Sequence, residues 1–118
     1  MTNYCNWLAK TVGEKLAADS IGRPVFVRLV LALSADHGLL EQQLQLAAAV
    51  AGGWIGSGSV RMERMGSARD GFLSALLEYA AGQTALLAVE IVRSEPQAQV
   101  LIVGQHGTLR FDDYPEVA

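Results

Sequence analysis

The spacing of apolar positions along this chain of 118 residues changes several times, and each change predicts an element. Residues 4–19 place Trp7, Leu8, Val12 and Leu16 at helical spacing, with Lys10, Glu14 and Lys15 elsewhere on the surface, which predicts an amphipathic helix. Ile21-Gly22-Arg23-Pro24 ends it, since proline disfavours helix at the residue before it and glycine suits a C-terminal turn. The period then drops to two. Val25, Val27, Leu29, Leu31 and Leu33 make one face of a strand, and Phe26, Arg28, Val30 and Ala32 make the other. Ser34-Ala-Asp36-His-Gly supplies turn and cap candidates for a second helix at about 38–51, rich in leucine, glutamine and alanine, and Gly52-Gly53 stops it.

Strands are predicted next, at about 54–65, 70–80, 84–94, 98–103 and 107–112. Gly66-Ser67, Ala81-Gly82, Ser94-Glu95-Pro96 and Gly104-Gln-His-Gly107 punctuate them, and at the last corner the glycines permit positive φ. Residues 70–80 pull both ways: Leu-Ser-Ala-Leu-Leu-Glu-Tyr-Ala-Ala favours helix on propensity, whereas its place in the series favours strand. Helix, strand, helix and then a meander predict an α+β fold. Two helices pack on one face of a mixed, mostly antiparallel sheet of about six strands. The first strand and second helix form a crossover to a parallel neighbour, and hairpins make the rest antiparallel. With no repeat, low-complexity segment or linker, residues 1–118 read as a single domain.

Composition narrows the class. At 51% hydrophobic and 18% charged, the chain lies well outside the disordered range. Its seven arginines and two lysines are scattered and its net charge is −3, so the concentrated basic patch of a nucleic-acid binder is missing. Arg28, Gln45 or glycines break the longest apolar runs far short of the ~20 residues that span a bilayer, so no membrane partner is expected. Residues 1–10 show no basic region followed by an apolar core, and the single Cys5 cannot form an internal disulfide. A cytoplasmic location is the expectation.

Two stretches carry a family resemblance. Leu101-Ile-Val-Gly-Gln-His-Gly-Thr-Leu-Arg-Phe-Asp112, preceded by Asp70-Gly-Phe-Leu-Ser-Ala-Leu-Leu-Glu-Tyr-Ala-Ala-Gly82-Gln-Thr, resembles the end of the C-terminal domain of the glucose–fructose oxidoreductase/inositol dehydrogenase (Gfo/Idh/MocA) family. Lys15-Leu-Ala-Ala-Asp-Ser-Ile-Gly-Arg-Pro24, followed by Val25-Phe-Val-Arg-Leu-Val, is similar to the helix, Ile-Gly turn and first strand of the same domain. The order and separation match, and the resemblance covers roughly residues 7–112. It implies the substrate-and-oligomerisation half of an NAD(P)-dependent oxidoreductase, without its N-terminal Rossmann domain and catalytic lysine.

The resemblance also implies where chemistry would sit. The family's second helix reads Gly-x-Leu-x-Asp-x-Gly-x-His, and its histidine transfers a proton beside the substrate. The matching run here is His37-Gly38-Leu39-Leu40-Glu41-Gln42-Gln43-Leu44-Gln45. Glu41 stands at the aspartate, Gln43 at the glycine and Gln45 at the histidine. A glutamine has no proton to exchange near neutral pH, so Glu41 and Gln45 read as degenerate family positions, with no catalytic residue. They are either a hydrogen-bonding remnant or a solvated polar helix face. Gly52-Gly-Trp-Ile-Gly-Ser-Gly58 has the wrong order for a dinucleotide fingerprint and follows a helix rather than preceding one, so no cofactor is expected.

His37 and His106 lie near Asp36, Asp112 and Asp113 without metal-ligand spacing, and read as surface turn residues with no metal. Cys5 has no identifiable base partner, and no Gly-x-Ser-x-Gly elbow is present.

The strand faces say more. Arg28, Arg61, Glu63, Ser74, Glu78, Thr84 and Glu90 fall among apolar neighbours, and residues 84–93 carry Leu, Val and Ala on both faces. Two helices can cover only one face, so the other meets water or a partner. In the resembled family this face commonly makes the subunit interface. Arg28, Glu78, Thr84, Leu86, Glu90 and Val92 are the interface candidates, and a homodimer is the predicted partner state. The expected function is a non-catalytic, dimerising assembly or accessory module. Its rivals are the substrate-binding half of an oxidoreductase whose Rossmann domain is on another chain or outside this sequence, and a small-molecule binder using the helix–sheet cleft around Glu41 and Gln45.

Overall fold

The computed structural model describes residues 3–35, 38–67, 69, 71–93 and 95–113. Its elements run α1 (Asn3–Ala18), β1 (Pro24–Leu33), α2 (Leu40–Ile55), β2 (Ser59–Ser67), β3 (Phe72–Tyr79), β4 (Thr84–Ile91), β5 (Gln97–Gly104) and β6 (Thr108–Asp113). The six strands form one sheet in the order β2-β3-β4-β1-β5-β6. The expected α+β architecture is what forms, two helices over a mixed sheet. β1 and β4 are parallel and the remaining neighbours antiparallel. The parallel neighbour of β1 is thus β4, reached only after α2 and the β2–β3 hairpin.

Period-two patterning drives the sheet. Along β3 and β4 every second residue is buried, and the stretch with helical composition, Phe72–Tyr79, is a strand because alternation outweighs its propensity. Val27, Leu29, Leu31, Leu73, Ala75, Leu77, Ala85, Leu87, Val89, Val100 and Ile102 meet the helices and are essentially inaccessible. From α1 come Cys5, Leu8 and Val12, and from α2 Leu40, Leu44, Ala47, Ala51 and Trp54. Trp7, expected on the buried face of α1, is instead 44% exposed. It stacks with Tyr4 and Phe111 beside β6.

Two boundaries depart from the sequence reading. α2 does not stop at Gly52-Gly53; it runs four residues past the expected end at 51, through both glycines to Ile55, and β2 begins only at Ser59. Trp54 and Ile55 are buried, and the Trp54 Nε1–H donates to the Ala9 carbonyl at 3.1 Å, tying the last turn of α2 to α1. That anchoring outweighs the roughly 1 kcal/mol each helical glycine costs. Gly56, with φ of 79°, ends the helix in the left-handed conformation and donates to the Gly52 carbonyl.

The second departure is at the β5–β6 corner, where neither Gly104 nor Gly107 has positive φ. Gly104 is required by close approach instead: a Cβ there would stand 2.3 Å from the Ile21 carbonyl oxygen. The Ile21 carbonyl accepts from the His106 N–H at 2.7 Å, and the Arg23 carbonyl accepts from the Gln105 N–H at 3.1 Å. The two stretches that carried the family resemblance therefore pack on one another.

The cap candidates Asp36 and His37 lie outside the described residues. Leu39 precedes α2, and its N–H donates to the Gln42 Oε1 at 2.8 Å, a partner from the first turn.

Candidate functional site

The sheet face turned away from the helices carries nearly all the singled-out strand residues. Register aligns them in rows. One row runs Glu63, Leu76, Leu86, Arg28, Leu101 and Arg110 across all six strands. The next runs Arg61, Glu78, Thr84, Phe26, Val103 and Thr108, and on the other side lie Met65, Ser74, Ala88, Val30, Gln99 and Asp112. No described helix lies over this face. Its centre is nonetheless apolar: Phe26, Val30, Leu76, Leu86, Ala88, Leu101 and Val103 are half-buried there.

Exposed Arg28 sits in the middle, on the central strand, flanked by Leu86 and Leu101. Acidic groups, Glu78 and Glu90, lie on β3 and β4 to one side. Val92 is past the end of β4, where its N–H donates to the Leu33 carbonyl at 2.9 Å. Of the six interface candidates, five thus share one face.

The second surface is a groove of about 340 Å³ between α2 and the β2–β3 hairpin, lined by Gln45, Ser57, Ser59, Met62, Leu77 and Tyr79 among others. Glu41 and Gln45 are both exposed on the same side of α2. The Glu41 carboxylate accepts from the Arg64 guanidinium of β2, an exposed ion pair. Between them in sequence, Gln43 points the other way and is fully buried. Its Nε2–H₂ donates to the Ser34 carbonyl at 3.2 Å and the Gly38 carbonyl at 3.0 Å, tying both ends of the β1–α2 connection to the helix, while its Oε1 finds no partner.

The sequence reading treated Gln43 only as a replaced glycine. The signal was present, since 40, 43, 44, 47, 50, 51 and 54 form one helical stripe. Tyr79 was also passed over. It is 3% exposed, its hydroxyl has no hydrogen-bond partner, and burial pushes its pKa up.

The glycine run 52–58 does not fit a dinucleotide. Gly52 and Gly53 are inside the last turn of α2 and Gly56 caps it, so the run lies at a helix C-terminus. That end presents carbonyl oxygens and the negative pole of the helix, whereas a pyrophosphate needs amides and the positive pole. Among the described residues, no group of three or more His, Cys, Asp or Glu side chains is placed to hold a metal ion. His106 is exposed in the β5–β6 turn. Cys5 is 2% exposed, and burial raises its thiol pKa, which leaves it a poor nucleophile. No described helix is long and apolar enough to cross a membrane.

No protein-family model matches the chain, and no curated protein matches its sequence. Solved structures do match. A probable dehydrogenase from Thermotoga maritima superposes with a TM-score of 0.78 at 13% identity, over 98% of this chain and 41% of that one. Myo-inositol dehydrogenase from Lactobacillus casei, solved with NAD(H) and myo-inositol, gives 0.71 at 17% identity, over 93% and 37%. UDP-N-acetylglucosamine 3-dehydrogenase from Acidithiobacillus ferrooxidans gives 0.63 at 15%, over 89% and 42%. The chain spans about two-fifths of the length of these structures. Its fold is that of the C-terminal domain of inositol and sugar dehydrogenases of the Gfo/Idh/MocA family.

Proposed function

We propose that this chain is a Gfo/Idh/MocA C-terminal-type domain acting as a dimerising assembly or accessory module, without oxidoreductase chemistry of its own. One observation carries the reading: a six-stranded sheet face that no described helix covers, apolar at its centre and ringed by charges of both signs. Soluble monomers rarely leave such a face in water. A second copy stacked on it about a two-fold axis lets Arg28 of each protomer meet Glu78 or Glu90 of the other. The glutamine at position 45 supports the non-catalytic half of the proposal, because a proton-transfer role needs an ionisable group there. The buried single thiol suits a reducing, cytoplasmic setting.

Light scattering on the purified chain tests this. Wild type should be at least a dimer at about 100 μM, a concentration at which interfaces of standard size are occupied. Leu86→Lys places a charge at the centre of the face and should lower the association state while leaving the chain folded. Wild type already monomeric, or Leu86→Lys associating to the same extent as wild type, overturns the face as the interface.

A second reading rests on the α2–β2–β3 groove, where the polar side chains of Gln45, Ser57 and Ser59 stand beside Met62. A hydroxyl-rich small molecule would satisfy these donors and acceptors. Saturable binding of a polyol or sugar, lost in Gln45→Ala, would favour a small-molecule binder over the assembly module. A separate Rossmann-domain chain that co-purifies and confers nicotinamide-dependent activity would favour the split-oxidoreductase alternative.

A further inference from the structure

We propose that β2 pairs edge to edge with β2 of a second copy, about a two-fold axis through Met62, joining two six-stranded sheets into one. This inference is independent of the face-to-face contact proposed above.

The two ends of the sheet are treated differently. At the β6 end the strand is only six residues long, Leu109 is buried, and Tyr4, Trp7 and Phe111 cluster beside it. The Tyr4 hydroxyl also donates to the Asp113 Oδ2 at 2.7 Å. At the β2 end, eight of the nine residues are exposed and the last is half-buried. Val60 is 67% exposed, Met65 47% and Met62 37%. β2 bonds β3 along one edge and no described strand along the other. Past an irregularity in register between Ser59 and Arg61, the edge runs regularly from Arg61 to Ser67, without proline and with Met62 and Met65 on opposite faces, which makes it a template for strand addition.

Charge and geometry select the occupant and the register. A two-fold antiparallel pair in one continuous sheet keeps helix-side residues opposite helix-side residues, so the axis must pass at a residue. Centring it on Arg61, Glu63 or Arg64 sets like charges directly opposite one another, which is destabilising. Centring it on Met62 sets Met62 against itself and Arg61 opposite the partner's Glu63, twice by symmetry. Among the central registers of β2, Met62 alone brings opposite charges together. A second copy of this chain is therefore the partner that fits.

A register-specific cross-link tests it. Residues directly opposite in an antiparallel pair have Cα atoms about 4.5–5.5 Å apart, within disulfide range. Met62→Cys should give a disulfide-linked dimer under mild oxidation, with buried Cys5 not participating. Arg64→Cys should stay monomeric on denaturing gels, because its symmetry mate is about four residues of strand, ~13 Å, away. Adding Glu63→Arg to Met62→Cys should abolish the link, and adding Arg61→Glu as well should restore it. Leu86→Lys should leave it intact, which separates this contact from the open face. Wild type offers a check free of substitutions: outward β2 amides should gain hydrogen-exchange protection as concentration rises. Equal cross-linking at positions 62 and 64, no cross-link at 62, or concentration-independent exchange in β2 would each overturn the proposal.

Discussion

A methyl group on Gly104 would stand 2.3 Å from a backbone oxygen, whereas one on Gly53 would meet nothing within 4 Å. Residue identity at these two glycines therefore has opposite consequences. Gly104→Ala must push the β5–β6 hairpin off the Ile21 turn and break the hydrogen bonds that dock it, at a cost of about 2 kcal/mol or more. Gly53→Ala removes a glycine from a helix interior at no steric cost and should stabilise by about 0.5–1 kcal/mol. Urea melts of the two variants beside wild type check both signs. A stable Gly104→Ala would show that the hairpin can slide, and a destabilised Gly53→Ala that α2 frays before its second glycine.

At the scale of an element, α2 separates what Glu41, Gln43 and Gln45, three of its four glutamine and glutamate positions, do. Glu41 and Gln45 are exposed, and the Glu41–Arg64 ion pair is a surface pair worth little. Each change to alanine should shift stability by no more than ~0.5 kcal/mol. Gln43 is buried and holds both Ser34 and Gly38, so Gln43→Ala should cost about 2–3 kcal/mol by leaving a cavity and two carbonyls without their donor. Chemical denaturation of the three single variants reads this directly. A large loss at Glu41 or Gln45 would point to a buried network and strengthen the groove as a binding site.

Across the whole molecule, neither described helix covers one face of the sheet, and the glycine run sits at the wrong pole of α2 for a pyrophosphate. The isolated chain should accordingly show a flat titration with NAD(H) and NADP(H) by calorimetry or fluorescence. Saturable micromolar binding would contradict the geometry of residues 52–58. Oligomerisation by two routes, face and edge, would also make the assembly larger than a dimer at high concentration, with Leu86→Lys and Glu63→Arg each removing one contact.

Local pattern was sufficient for element type. Alternation in Val25 to Leu33 and helical spacing in Leu8 and Val12 state the element and which residues share a side, because side chains follow the 2.0 and 3.6 periods, whereas Thr84 to Ile91 is apolar on both sides. Local pattern left open which face of the strands turns outward, and only the register of the sheet sets Arg28, Glu78, Thr84, Leu86 and Glu90 on one face. Tertiary contact decided the rest. The end of α2 depended on Trp54 reaching Ala9, 45 positions away, and no local signal outweighs two consecutive glycines. The role of Gly104 depended on the backbone of Ile21, which lies beside it only once the sheet closes. The pairing of β1 with β4, and the exposure of β2 at the sheet edge, are likewise long-range facts, settled by which strands the helix layer can cover.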